Sequence, residues 1–439
     1  MKIVFIQSAV GRAKKGKYPK TWIMEPLGIA VLSALTPKDV ERVYMDDRLG
    51  EVDFSVRADL VVMPVECYTA ARSYEIAAKF RAQGATVVLG GFHTTLNPDE
   101  AAEHADAIMI GDAETTWTEM LADFRAGYLK KRYVGKGGVI CPMPDRSIYA
   151  GRSYGPLNLI ETARGCSFSC EFCSITKFFN RCYTPRPIDD VIAEMKTLPK
   201  RIVFFVDDNL AMDVPRLKEL CRKLKPLKKL WVAQLSIHTA NDDELLTLME
   251  ESGCCGVLIG FESLNGEVLE SMGKRVNVAN ADYARGVANL RKHHLSIYAT
   301  FVFGYDQDTP ETFERTFKFA MESKFFFAAF NHLVPFPGTD VHARFVREGR
   351  LLNDRWWLDP KVGFGDVVFR PKNFTPQELA DKCQEYRLKF YTVGSILKRG
   401  LDFRANSHGF IKTLCYYYSN FLQGHDVVSR RGLHGGDGL

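Results

Sequence analysis

A chain of 439 residues exceeds one ordinary hydrophobic core, so two or three domains are expected. Its composition, 46% apolar and 25% charged, is that of a globular protein, and no stretch approaches the roughly 18 uninterrupted apolar residues of a membrane span. A net charge of +5 spread along the chain argues against a nucleic-acid partner, and eleven cysteines in so large a chain are not the dense framework of a small secreted domain.

The opening "MKIVFIQS" reads as a first strand, since no long apolar segment and cleavage site follow a charged leader; a reducing cytoplasm is the expected compartment. Over residues 1–145 the apolar runs "KIVFIQS", "VERVYMD", "ADLVVMPV", "ATVVLGG" and "DAIMIGD" alternate with the helical patterns "PLGIAVLSAL", "SYEIAAKFRAQG" and "AETTWTEMLADFRAG". Short strands alternating with helices imply a parallel sheet covered on both faces. This is a Rossmann-like, doubly wound α/β domain, with its ligand expected beyond the carboxyl ends of the strands. Gly135, Gly137, Gly138, Pro142 and Pro144 then mark a linker.

A second α/β series covers 150–345, with strands "LNLIETA", "RIVFFVDD", "LWVAQLS", "CGVLIGFES", "SIYATFVFG" and "AAFNHLVP". Six recurring strands with intervening helices suggest a β/α barrel or partial barrel, whose reactive groups gather at the strand C-termini. Strand signals fade over 346–439, where a mainly helical C-terminal region is expected. Thr375, Pro376 and Glu378 form the N-cap, first-turn proline and capping-box glutamate of one helix, and the polar, Gly-rich tail "SRRGLHGGDGL" is expected to be disordered. The aromatics of "FFFAAF" (325–330), Trp356, Trp357 and "CYYYSNF" (415–421) could line an apolar pocket, although core packing and helix docking account for them more economically.

Directly after the first strand of the second series, "ARGCSFSCEFCSI" places Cys166, Cys170 and Cys173 within eight residues. Isolated cysteines such as Cys67, Cys141, Cys221, Cys254, Cys255, Cys383 and Cys415 read as small core residues, and Cys182 as a lone neighbour of the loop. Three in one Gly- and Ser-containing loop do not. A structural zinc site, the lesser alternative, needs a fourth ligand, for which the nearest candidates are the isolated Cys182 and distant histidines. Three thiolates can instead hold three irons of a [4Fe–4S] cluster and leave the fourth iron open.

CxxxCxxC with Phe172 just before the last cysteine resembles the signature of the radical S-adenosylmethionine (radical SAM) superfamily. In that family the open iron chelates SAM, and the reduced cluster cleaves it to a 5'-deoxyadenosyl radical. "VFFVDDN", "VLIGFES", "FVFGYDQDTPETF" and "VPFPGTDVHARFVREGRL" resemble the strand-end blocks of members with an N-terminal cobalamin-binding domain. The resemblance implies that Asp207, Asp208, Glu262 and its neighbour Ser263 approach the amino group and ribose of SAM. A bland alternative has Asp207 and Asp208 capping the following helix, whereas Glu262 ends a buried apolar strand and needs a partner.

"VVLGGFHTTLNPDEAAEHADAIMIGDAE" (87–114) resembles the later half of the cobalamin-binding fold, which implicates Gly90, Gly91 and His93; a glycine pair would let a bulky nucleotide tail approach the backbone. The chain departs from the D-x-H-x-x-G loop that supplies a cobalt ligand in many such domains. No histidine precedes His93, and "DDRLG" (46–50) has Arg48 instead. Cobalamin would bind here without that ligand, or the domain has lost it and persists as a structural module. Arg12, Lys14, Lys15, Lys17 and Lys20 read as a solvated loop, with contact to cofactor phosphates a secondary possibility.

The implied activity is cobalamin-dependent methylation of an unactivated carbon in a small molecule, with a flavodoxin- or ferredoxin-type electron donor. Radical rearrangement, cyclisation, dehydrogenation or non-methyl transfer is the alternative within enzymes. An iron–sulfur carrier or sensor is the alternative of another class, although a carrier normally closes its cluster with a fourth protein ligand.

Overall fold

The structure is a computed structural model that describes residues 1–10, 23–137 and 142–429. The basic residues Arg12 to Lys20, linker residue Gly138, Cys141 and the tail from residue 430 lie outside the described residues.

The first sheet contains β1 (Lys2–Gln7), β2 (Glu41–Asp46), β3 (Leu60–Pro64), β4 (Thr86–Gly90), β5 (Ala107–Ile110) and β6 (Arg132–Val134). Every pairing is parallel, in the order β2-β1-β3-β4-β5-β6. Continuous apolar runs are required because alternate side chains enter different cores: Val4, Ile6, Val61 and Met63 on one face, Ile3, Phe5, Leu60 and Val62 on the other. Each strand read from the sequence is present. The sixth, "RYV", is three residues long with only Tyr133 buried, too brief to show periodicity.

The second sheet is built from β7 (Leu157–Ile160), β10 (Ile202–Phe205), β11 (Leu230–Leu235), β12 (Cys254–Glu262), β13 (Ser296–Phe303) and β14 (Phe327–His332), while β8 (Ala163–Arg164) and β9 (Thr184–Pro185) form an antiparallel pair. The order β14-β13-β12-β11-β10-β7 is parallel throughout and leaves β7 and β14 as edges, so the barrel is partial. Val203, Phe205, Trp231, Ala233, Ile259, Ala299 and Phe301 pack into the core beneath the helices. The alternate positions Phe204, Val232, Gln234, Leu258, Tyr298, Thr300 and Val302 are less buried and lie on the opposite, concave face. That face is the accessible interior of the partial barrel.

After β13, Asp308 is 1% exposed and accepts hydrogen bonds from the backbone N–H of Gly304 at 2.8 Å and Tyr305 at 3.0 Å. Burial pushes its carboxyl up from 3.8 to about 6. The folded protein therefore holds a proton that the unfolded chain has released between those values, and this group removes stability as pH rises through 3.8 to about 6. Asp308→Asn, which keeps one carbonyl acceptor, is expected to exceed the parent in stability at about pH 8 by on the order of 1–3 kcal/mol, with no gain at about pH 4. Chemical denaturation at the two pH values checks it; an equal effect at both would contradict the titration.

In the C-terminal region, Thr375 Oγ1 accepts from Glu378 N–H at 3.2 Å and the Glu378 carboxylate accepts from Thr375 N–H at 2.7 Å, the expected capping box of helix Pro376–Phe390. After helix Asp340–Arg347, residues 348–375 form a strap with only one short helical turn, Trp356–Leu358, rather than the helical structure expected from 346 onward. Trp356, Trp357 and Val368 join the core of the first domain, while Leu351, Val367 and Phe369 join that of the barrel. Helices Val393–Gly400 and Phe410–Ser429 follow. Core packing accounts for Trp356, Trp357, Phe325, Phe330 and Tyr416, but not for Tyr418 and Phe421, which are 66% and 50% exposed.

Candidate functional site

The three-cysteine loop leaves the C-terminal end of β7 through β8 and runs into helix Ser174–Phe178. A turn closes between Cys170 and Cys173, whose N–H donates to the Cys170 carbonyl at 3.2 Å. Cys166, Cys170 and Cys173 are all partly accessible. The three thiols lie close enough to act on one another electrostatically, and burial raises those of Cys166 and Cys170, the latter to about 12. Assembly of iron on them therefore has to displace protons.

Among the described residues no three Cys, His, Asp or Glu side chains converge on a point that would hold a single ion. In a cubane each of three thiolates takes a different iron. Among the described residues the donor set offers three sulfurs and no fourth protein ligand, so an open iron fits the loop.

The two aspartates expected to reach SAM hydrogen-bond to the segment that leads into the cysteine loop. Asp207 is 3% exposed and accepts from the backbone N–H of Thr162 at 2.9 Å and from its hydroxyl at 2.6 Å. Arg216 secures the same residue from the other side, donating to the Thr162 carbonyl at 3.0 Å. Asp208 accepts from Gly165 N–H at 2.9 Å, one residue before the first cysteine. Burial pushes both carboxyls up to about 6, against the pull of these hydrogen bonds. Neither caps the next helix: Asp213 does, accepting from Arg216 N–H at 3.0 Å.

Glu262 ends β12 with a φ of 61°, a left-handed backbone that is costly for a side-chain-bearing residue. The partner demanded by its burial is Lys274, at 2.5 Å. Lys274 also lies close enough to Cys170 to favour its thiolate. The sequence contains no motif for this lysine; a signal existed only in the need of a buried carboxylate for a cation. Ser263 is buried and its hydroxyl accepts from Asn265 N–H at 3.0 Å. Phe172 is half-buried against the barrel core, and neighbouring Glu171 anchors the loop through its N–H to Met272 O at 2.9 Å and its carboxylate to Arg344 at 2.8 Å.

The C-terminal edge of the first sheet abuts this loop. Arg164 pairs with Glu161 at 2.8 Å, with Asp112 at 3.1 Å and with Glu114, tying β8 to the turn after β5. Phe92, at the end of β4, packs against Phe178 with ring centroids 4.3 Å apart. A cavity of about 130 Å³ lies at this junction, lined by Cys67, Tyr68, Phe92, His93, Ser174 and Phe336.

His93 is 2% exposed, with Nε2 3.0 Å from the Glu100 carboxylate and Nδ1 lacking a hydrogen-bond partner. The chain itself explains Gly91: its φ is +91°, and a β-carbon would lie 2.8 Å from Val65 N and 2.9 Å from Val65 O. A β-carbon on Gly90 would meet only ordinary contacts, the nearest Met109 Cβ at 3.7 Å. The Arg48 loop is likewise occupied internally, with Arg48 pairing to Asp46 at 2.7 Å and Asp47 pairing to Arg72 at 2.9 Å.

Residues 160–320 match the Radical SAM superfamily model. The chain is 30% identical over 392 residues to bacteriochlorophyllide d C-12(1)-methyltransferase of Chlorobaculum tepidum, covering 85% of this chain and 84% of that one. Its fold is similar to that of the radical SAM methyltransferase TsrM from Kitasatospora setae, solved with cobalamin and a [4Fe-4S] cluster, with a TM-score of 0.65 at 17% identity over 87% of this chain and 81% of that one. It is also similar to the cobalamin-dependent SAM radical enzyme OxsB, solved with aqua-cobalamin and SAM, with a TM-score of 0.68 at 13% identity over 98% and 71% of the two chains. The three-cysteine loop at the mouth of a partial barrel and the full-length relative agree: the chain belongs to the radical SAM superfamily.

Proposed function

We propose that the protein is a cobalamin-dependent radical SAM methyltransferase that methylates an unactivated carbon of a small molecule. The observation that carries this reading is the meeting of two strand C-terminal edges, one bearing three cysteines with no fourth ligand among the described residues, the other belonging to a doubly wound sheet. Cys166, Cys170 and Cys173 would hold the cluster, with Lys274 supplying positive charge beside it. Glu262 and Ser263, at the end of β12, would meet SAM; Asp207 and Asp208 would position the cysteine loop rather than touch it. Phe92 and His93 would contribute to the wall facing cobalamin, and Gly90 would leave that wall low.

When bound, the cluster supplies the electron that cleaves SAM, and cobalamin supplies the methyl group. The chain's own part is to hold the components at one junction and to receive substrate on the concave barrel face. That interior offers Phe204, Val232 and Leu258 for apolar contact, and Gln234, Tyr298 and Thr300 for orientation. Keeping water from a carbon radical is the reason for such an enclosure. The reading includes a reducing compartment, the cytoplasm, and an external one-electron donor of flavodoxin or ferredoxin type. The described cysteines are all free, and no described helix is long and apolar enough to cross a membrane.

A second reading, radical chemistry without methyl transfer, is favoured by the internal explanation of Gly91, which needs no ligand. Anaerobic reconstitution with iron, sulfide and hydroxocobalamin, followed by desalting, separates the two. Methyl transfer predicts one retained cobalt per chain beside a broad cluster shoulder at roughly 400 nm. The cluster without cobalt would select the second reading.

A further inference from the structure

Nine of the sixteen exposed large apolar side chains among the described residues fall between Val393 and Phe421. On helix Phe410–Ser429, Phe410, Leu414, Tyr418 and Phe421 recur at the spacing of one helical stripe, and Val393, Leu397 and Leu401 do so along and just beyond helix Val393–Gly400. Phe403 and Phe410, in and after the connection, are 73% and 82% exposed. The opposite sides of the helices are fixed inward. Arg399, fully buried, donates to the carbonyls of Phe325 and Phe390, each at 2.8 Å, and to Asn420 Oδ1, while Tyr416 donates its hydroxyl to the Ile396 carbonyl at 2.8 Å. The apolar stripes are thus held outward by a packed base.

Charge identifies the occupant. Lys398, Arg404 and His408 are exposed among the apolar residues. Asp402 is the sole acid between residues 391 and 425, and it is turned inward, paired with Arg291 at 2.8 Å. Exposed apolar side chains with exposed Lys398 and Arg404, and no outward acid within residues 391–425, match a bilayer surface bearing anionic headgroups, the one acid beside it, Glu250, lying against His294: rings enter the acyl boundary while the cations meet phosphate. A second copy of the chain would bring like charges into the same interface. No described helix is long and apolar enough to cross a membrane.

We propose that the surface formed by residues 393–421 docks the enzyme peripherally on an anionic lipid surface. Full-length, cluster-loaded protein floated with vesicles of phosphatidylcholine and phosphatidylglycerol in equal parts is expected to move with them, and much less with phosphatidylcholine alone. Phe403→Ser combined with Phe410→Ser should weaken association by about tenfold or more, from the apolar area withdrawn. Lys398→Glu combined with Arg404→Glu should weaken it only toward the anionic vesicles. Iron content and thermal melting, measured on each variant, should match the parent. Absence of binding to either vesicle, or binding that both variants retain, would overturn the proposal. So would light scattering that shows a dimer dispersed by the phenylalanine changes without vesicle binding, which would give the surface to a second copy.

Discussion

Cys170→Ala is expected to abolish both retained iron and reductive SAM cleavage, whereas Cys221→Ala should leave both intact. The contrast follows from position rather than residue type. Cys170 is partly accessible on the loop after β7, within electrostatic reach of Cys166, Cys173 and Lys274. Cys221 is buried in the barrel core on helix Val214–Leu224, with Leu217, Leu220 and Leu224. Removing one of three thiolates leaves two anchors for a cubane, while Cys221→Ala deletes one sulfur from a core, at a cost of roughly 1–2 kcal/mol. Iron assay and 5'-deoxyadenosine formation on both variants, reconstituted in parallel, check this; equal losses in the two would remove the cluster from this loop.

Gly165→Ala is expected to have nearly as large an effect on iron, through geometry alone. Gly165 precedes the first cysteine with a φ of +77°, and a β-carbon there would overlap the carbonyl oxygen of Cys182. Left-handed backbone costs alanine about 1–2 kcal/mol, and the overlap forces the loop itself to move, with the Gly165 N–H lost from Asp208. Because the damage is confined to the loop, the parent fold should persist while retained iron falls by about tenfold or more, each 1.4 kcal/mol of loop distortion being a factor of ten. Gly84→Ala is the control: its φ is +86°, yet a β-carbon there would have nothing within 4 Å. It should lose a little stability and no iron. Equal iron in the two variants would contradict the tight seat inferred for the cysteine loop.

The fold was legible where hydrophobic period and length agree. Both parallel sheets and all six barrel strands follow from apolar runs such as "VVMP" and "IVFF", because a strand covered by helices is marked along its whole length. β6 escaped since three residues carry no period, and the strap 348–375 because its apolar residues serve two cores at once. At the site, the three cysteines were legible because their spacing has few structural uses. Asp207 and Asp208 were legible as special, while their partners were not: sequence shows adjacent carboxylates, not that Thr162 and Gly165 lie within hydrogen-bond reach. Lys274 could be anticipated only as an unnamed cation for Glu262. Gly91 is ambiguous for a related reason, since a glycine seated against its own chain looks the same in sequence as one seated against a ligand.

The central claim is methyl transfer carried out by one protein that also cleaves SAM reductively. It is tested most directly by incubating protein loaded with cluster and cobalamin with SAM and a one-electron reductant, and measuring both nucleoside products. Methyl donation leaves S-adenosylhomocysteine and radical generation leaves 5'-deoxyadenosine, so the account predicts both, with S-adenosylhomocysteine dependent on retained cobalt. Formation of 5'-deoxyadenosine alone, with cobalamin bound and no S-adenosylhomocysteine, would contradict it.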